Sequence, residues 1–236
     1  MPKFKLPPRL PFHRMGIAGL GLIGGSLAKA FSPLDGLEIN VYDSDSATLE
    51  QAKKIRRFKR VTGSLSEFLD IDLDLIYLCM PVHRNIEMIK EMGRRNISCA
   101  VTDSGSTKAA TNEAALAANL NYCGGHPIAG KEVAGFSNSS GDLMRGCLFI
   151  LTPDERFGHR QKELFGRLKA LHELLDCNIQ VLSPAEHDEI YSLISHLPYL
   201  SATALSGTAL KKGGLPVLSF AGTGFRDTTR VSASPP

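Results

Sequence analysis

The stretch GGHPIAGKEVAG, residues 124–135, sets one imidazole, His126, among Gly124, Gly125, Ala129, Gly130, Ala134 and Gly135. A neutral imidazole near pH 7 can take a proton or a strong hydrogen bond from a substrate hydroxyl. Small neighbours would leave space for that substrate. A satisfied core histidine is the alternative for this residue taken alone. A second constellation is Gly19-Leu20-Gly21-Leu22-Ile23-Gly24, a G-x-G-x-x-G after an apolar run and before a helical pattern. The first glycine permits a tight turn, the second lets backbone approach a pyrophosphate, and the third lets helix pack on strand. The helix start offers free N–H groups to phosphates. Gly19, Gly21, Leu22, Ile23 and Gly24 are therefore expected to hold a dinucleotide. Asp43 follows Gly19 by 24 residues and ends a second apolar run. Its carboxylate can accept bonds from ribose hydroxyls and would repel a 2′-phosphate, so NAD is expected rather than NADP. The competing explanation is a structural glycine turn with a solvent-facing aspartate.

Two further apolar runs end in residues able to face the same ligand. Met80 and Pro81 close one. Thr102-Asp103-Ser104-Gly105-Ser106 closes another and places two hydroxyls and Lys108 at a strand-to-helix turn. Ligands bind at the carboxyl edge of open α/β sheets. Met80, Pro81 and Ser104 are thus expected beside the cofactor and Ser106 beside the substrate, with a simple helix cap as the alternative for the serines.

The elements that must position these residues follow from periodicity. Strand-like runs at 15–18, 37–43, 73–81, 97–103, 122–127, 147–153 and 178–183 alternate with helical patterns at about 22–31, 46–55, 82–92, 106–120 and 158–176. Such alternation predicts βαβ units and a mostly parallel sheet of Rossmann type. Ser183-Pro184-Ala185-Glu186 is a helix start with a cap, a proline at the first turn and an acid at the third position. From there to about Lys212 the pattern is helical apart from Pro198. The expected fold class is α/β, a Rossmann-type unit over 1–182 followed by a small all-helical unit over 183–236.

Composition narrows the classes. The 236 residues are 43% hydrophobic and 22% charged, with a net charge of +3. That charge is mild and scattered, so no nucleic-acid partner is expected. The densest basic run, Lys53, Lys54, Arg56, Arg57, Lys59 and Arg60, reads as a solvated helix end. Cys79, Cys99, Cys123, Cys147 and Cys177 are odd in number and form no C-x-x-C, which predicts free thiols in a reducing compartment, the cytoplasm. The start, MPKFKLPPRLPFHR, has no apolar core of leader length, and no run of 18 apolar residues exists. No membrane span and no metal site are expected.

GLGLIGGS, TDSGSTK, GGHPIAGKEVAG, SHLP and GFRDTTR, in this order, resemble prephenate and arogenate dehydrogenases, the TyrA-type enzymes of tyrosine biosynthesis, over about residues 15–233. The resemblance implies NAD-dependent oxidative decarboxylation of prephenate or arogenate. It implies that His126 takes the hydrogen bond of the substrate 4-hydroxyl and that Ser106 sits beside it. It further implies that Arg230 binds the ring carboxylate, Glu132 gates the pocket, His196 approaches from the second unit, and Gly222 and Gly224 give close backbone approach. For Arg226 a salt bridge with Asp227 competes with substrate contact. His187 and Asp188 read as helix-face residues without chemistry. Relatives often carry a second histidine where this chain has Tyr199, a residue expected to bear on the choice between keto-acid and amino-acid substrates. They also continue through a tryptophan-containing helix. This chain has no Trp and closes on SASPP, so a short second unit is expected, with a homodimer formed through the helix at 184–211 and the segment after it. Two rivals remain open at this point: another β-hydroxyacid-type dehydrogenase, and a non-catalytic dinucleotide-sensing module.

Overall fold

The computed structural model describes residues 10–233; the proline-rich start at 1–9 and the last three residues lie outside the described part. The chain alternates β1 (Arg14–Ala18), α1 (Leu22–Phe31), β2 (Glu38–Tyr42), α2 (Ser46–Ala52), β3 (Phe58–Thr62), α3 (Leu65–Leu69), β4 (Leu75–Leu78), α4 (Val82–Arg94), β5 (Ala100–Asp103), α5 (Ala109–Ala117) and β6 (Asn121–Tyr122). These six strands form one fully parallel sheet in the order β3-β2-β1-β4-β5-β6. The order reverses at β1, and the carboxyl ends of β1 and β4 open there into a crevice. β4 and β5 are buried throughout, as strands covered on both faces must be. On α4 the spacing of Asn85, Met88, Ile89 and Met92 gives one buried stripe against the sheet. Burying Met88, Ile89 and Met92 contributes about 1.5–3 kcal/mol each.

A second sheet follows: β7 (Gly124–Ile128), β8 (Leu148–Thr152) and, after α6 (His159–Glu173), β9 (Asn178–Val181). β7 pairs antiparallel with β8, and β8 pairs parallel with β9. The run at 122–127 is therefore two strands in two sheets. The chain leaves the first sheet at Cys123, and glycines at 124 and 125 let it turn without side-chain obstruction. The basic run is a helix end only at its start: Lys53 caps α2, the chain then turns, and Lys59 and Arg60 lie on β3, all of them exposed. That edge strand was obscured by its charges, which its exposed positions tolerate.

The last segment is helical. α7 (Pro184–Tyr191) opens with a complete capping box: Glu186 N–H donates to Ser183 Oγ at 3.2 Å, and Ser183 N–H to Glu186 Oε2 at 2.8 Å. A π-helical turn, Ser192–His196, leads into α8 (Leu197–Val217), and α9 (Thr223–Thr229) follows. Pro198 breaks nothing, because it sits in the first turn of α8, where its missing N–H would be unpaired anyway. The kink in α8 falls instead at Gly214, whose φ is 63°. Among the described residues no helix is long and apolar enough to cross a membrane.

Candidate active site

The glycine-rich turn joins β1 to α1. Gly19 adopts φ 92° and donates its N–H to the Tyr42 carbonyl at 2.8 Å. A Cβ on Gly24 would collide with the Gly19 carbonyl oxygen, so the turn closes this tightly only with glycine at both places. Gly21 differs: it is exposed, and a Cβ there would meet nothing. Leu22 and Ile23 begin α1 half-buried, and no side chain caps this helix start. Its first N–H groups are left for a ligand. Asp43, just past β2, accepts from the N–H of Leu20 at 2.6 Å and of Asp45 at 2.9 Å. Both bonds anchor the carboxylate beside the turn and leave lone pairs for other donors. A cavity of about 750 Å³ opens here, lined by Gly19, Gly21, Asp43, Met80, Pro81, His83 and Arg84 among others. His83 and Arg84 drew no attention in the sequence, since nothing in a helix start signals what lies across a crevice. Ser104 is half-buried beyond β5 and donates its N–H to the Leu78 carbonyl at 3.0 Å.

Behind the next strand end lies a buried charge cluster. Lys108 and Asp103 are both fully buried, with Nζ 2.5 Å from Oδ2. The same ammonium donates to the Gly125 carbonyl at 2.7 Å. Asp103 also accepts from Gly105 N–H at 3.0 Å, Tyr122 hydroxyl at 2.8 Å and Gly125 N–H at 3.2 Å. Both backbone groups of Gly125 are thus tied to the β5–α5 turn. A Cβ there would sit 2.8 Å from the Asp103 carbonyl oxygen and 3.0 Å from the Phe149 ring. Gly125 therefore serves close packing of β7 on β5, and a Cβ at Gly124 would press on Thr152, Lys108 and Tyr122, so neither glycine before His126 clears substrate space. The open glycines come after it: a Cβ at Gly130 or Gly135 would meet nothing.

His126 lies within β7, opposite Ile150. Its Nδ1 is 2.8 Å from His187 Nε2, and His187 Nδ1 is 2.8 Å from Asp188 Oδ1. Asp188 in turn accepts the N–H of Lys108 at 2.7 Å and of Ala109 at 2.9 Å, capping α5 from the second unit. Burial would raise the Asp188 carboxyl, but the N–H groups of Ala109, His187 and Lys108 hold it below its ordinary value. An ionised carboxylate only accepts, so His187 carries its proton on Nδ1 and accepts at Nε2. His126 then carries its proton on Nδ1, and its Nε2 lone pair is free. Burial pushes His126 down from 6.5 to about 3, aided by the charge of Lys108 and by His187 and His196, against Asp188. His187 is lowered too, by burial above all. Tyr191 completes the enclosure, stacked on His187 at 4.7 Å and edge-on to His126 at 5.0 Å between ring centroids. His187 and Asp188 had been read as plain helix-face residues. Adjacency of His and Asp on one helix carries no signal by itself, and only the fold brings them to His126.

The remaining expected residues fall around this core. Ser106 is exposed in the β5–α5 turn; it does not cap α5, a task Asp188 performs. Glu132 accepts from Arg230 Nη1 at 3.0 Å, with both side chains more than half exposed. His196 ends the π-helical turn, half-buried and close enough to act on the His126 proton. Tyr199 is half-buried on α8, and Gly222 is exposed at the start of α9. Among the described residues hydrogen bonds join neither to His126, and Arg226 makes no ion pair with Asp227. A larger cavity of about 1230 Å³, between Asp154, Gly158 and Glu186, contains none of the expected site residues. No group of three or more His, Cys, Asp or Glu side chains among the described residues could hold a metal.

Two family descriptions match the chain: "Prephenate dehydrogenase, nucleotide-binding domain" over residues 34–181 and "Prephenate dehydrogenase, dimerization domain" over 183–236. The chain is 31% identical to prephenate dehydrogenase of Bacillus subtilis, covering 93% of this chain but 60% of that protein. It is also 31% identical to cyclohexadienyl dehydrogenase of Zymomonas mobilis, over 95% of this chain and 78% of that protein. Among solved structures, prephenate dehydrogenase from A. aeolicus in complex with hydroxyphenyl propionate and NAD+ superposes with a TM-score of 0.85 at 31% identity, covering 95% of this chain and 79% of that one. This chain belongs to the prephenate dehydrogenase family.

Proposed function

We propose that this chain is an NAD-dependent dehydrogenase that oxidatively decarboxylates prephenate or arogenate. The observation that carries the reading is the His126–His187–Asp188 line, which leaves a neutral imidazole with its Nε2 lone pair unprotonated. The crevice fits a dinucleotide: Gly21 has open space over it, α1 starts uncapped, and Asp43 is anchored beside the turn. NAD+, when bound there, supplies the hydride acceptor. His126 Nε2 accepts the bond from the substrate 4-hydroxyl and takes its proton as the C–O bond gains carbonyl character. Ser106 offers a hydroxyl on the same side. Arg230 exchanges Glu132 for the ring carboxylate, which a guanidinium can hold through both oxygens until it leaves as CO₂. Tyr199 and Gly222 belong to the same substrate side, with His196 next to His126. Tyr199 presents a neutral hydroxyl to the substrate side chain, which suits both substrates. Met80, Pro81 and Ser104 border the cofactor.

The functional unit in this reading is a homodimer. Leu193, Ile194, Leu197, Leu200 and Phe220 are 61, 65, 54, 62 and 87% exposed, a helical apolar surface suited to a second copy. Sedimentation at micromolar concentration should give twice the chain mass. The five unpaired cysteines fit the cytoplasm. Turnover is tested by mixing protein, NAD+ and either prephenate or arogenate and following reduced nicotinamide. Cofactor binding without turnover of either would leave the sensing-module reading and remove this one.

A further inference from the structure

One pair of thiols stands apart from the chemistry above. Cys147 immediately precedes β8 and Cys177 immediately precedes β9, and the parallel register that begins at Leu148 and Asn178 sets them side by side. Asn178 N–H bonds the Cys147 carbonyl at 2.9 Å, and Gly146 N–H bonds the Leu175 carbonyl at 2.9 Å, so both backbones are held. The two Sγ atoms are 3.8 Å apart. Cys147 is half-buried and Cys177 is 8% exposed, so a small solute reaches Cys147 first. Cys177 has one proton and two acceptors, the Met144 carbonyl at 3.2 Å and Cys147 Sγ. Turned to Cys147, that proton holds the Cys147 thiol below its ordinary value. Burial pushes Cys79, Cys99 and Cys123 the other way, each up to about 12, where almost no thiolate exists.

We propose that Cys147 and Cys177 form a reversible disulfide when the protein meets a hydroperoxide, with Cys147 attacking and Cys177 resolving. Cys147 gives up its proton and its sulfur attacks one peroxide oxygen. The O–O bond breaks, a sulfenic acid forms, and the departing hydroxide takes up a proton as water. The Cys177 sulfur then attacks the sulfenic sulfur. The S–O bond breaks, and the hydroxyl leaves with the Cys177 proton as a second water. Two thiols are oxidised by two electrons and one peroxide is reduced. Closing the bond needs the sulfurs to approach from van der Waals contact to about 2.05 Å, a side-chain rotation between neighbouring strands. The bond ties the loop before β8 to the end of α6. It thereby braces the sheet that carries His126 on β7 without touching the imidazole.

The test is peptide mapping of the full chain after treatment with excess hydrogen peroxide and alkylation. The expected product is a Cys147–Cys177 linked peptide, lost on adding dithiothreitol, with Tm higher by about 5–10 °C in the oxidised form. In Cys177→Ser, Cys147 should accumulate as a sulfenic acid that a dimedone probe captures. An unreacted Cys147, a Cys147 sulfinic acid with no linked peptide, or linkage to Cys79, Cys99 or Cys123 in the unmodified chain would overturn the proposal. The mapping needs no variant, so a variant that misfolds does not decide it.

Discussion

Replacing His187 with Phe isolates the middle of the histidine line. Phe keeps the ring stacked on Tyr191 and edge-on to His126, and Asp188 keeps its cap on α5. What disappears is the acceptor 2.8 Å from His126 Nδ1. His187 is fully buried, so no water replaces it at once. The His126 Nδ1–H then either stays unpaired, at a cost of about 1–3 kcal/mol, or its proton moves to Nε2, where it faces the substrate as a donor. Either way the accepting tautomer is disfavoured by that amount. Converted through transition-state arithmetic, kcat should fall roughly 5- to 150-fold. Cofactor affinity should stay within twofold, because Asp43 and the glycine turn are untouched. The assay is steady-state turnover with prephenate and NAD+, paired with direct measurement of NAD+ binding. His187→Gln, whose amide oxygen can still accept, should recover much of the loss, which a purely structural role would not produce. A Phe variant with unchanged kcat and a lowered Tm would refute the reasoning and leave His187 as packing.

Three other outcomes follow from the same groups. His126→Asn should lower kcat by about 10²–10⁴; because His126 is pushed down to about 3, the unmodified enzyme should show no acid limb near 6.5 in kcat, and such a limb would contradict the burial described. Stability should fall as pH drops below 6.5, since His126 and His172 stay neutral in the fold, at about 3 and about 4, while the unfolded chain takes up protons. At pH 5 each costs about 2 kcal/mol, visible in urea titrations, and a flat profile from pH 7 to 5 would be inconsistent with it. Lys108→Met should cost about 3–5 kcal/mol, because it leaves the buried Asp103 charge without its cation; a loss under about 1 kcal/mol in the same titration would mean the pair is not buried as described.

The amino-acid order by itself determined the parallel sheet, the glycine-rich turn and the capped start at Ser183, and it singled out His126 as a candidate. Each rests on local physics. Period-two and period-3.6 patterns choose strand and helix, a positive φ demands glycine at Gly19, and a serine three residues before a glutamate closes a capping box. β3 escaped because its lysine and arginine read as a solvated surface, which an edge strand also is. The division of residues 121–128 between two sheets escaped because periodicity cannot say which neighbour a strand will choose. Only the tertiary structure decided what surrounds His126. Gly124 and Gly125 look like cleared space in sequence, yet Gly125 is the contact through which β7 packs on β5 and Phe149, and Gly124 lies against Thr152, Lys108 and Tyr122. His187 and Asp188 lie 61 and 62 residues beyond His126, on a helix whose pattern gives no hint of a partner. Docking α7 against the start of α5 satisfies two orphan N–H groups with one carboxylate, and that same carboxylate fixes which nitrogen of His126 is free. Cys147 and Cys177 became neighbours in the same way, through strand register. Hydrogen bonds and charges act over a few ångströms of space, and chain distance leaves no trace of them.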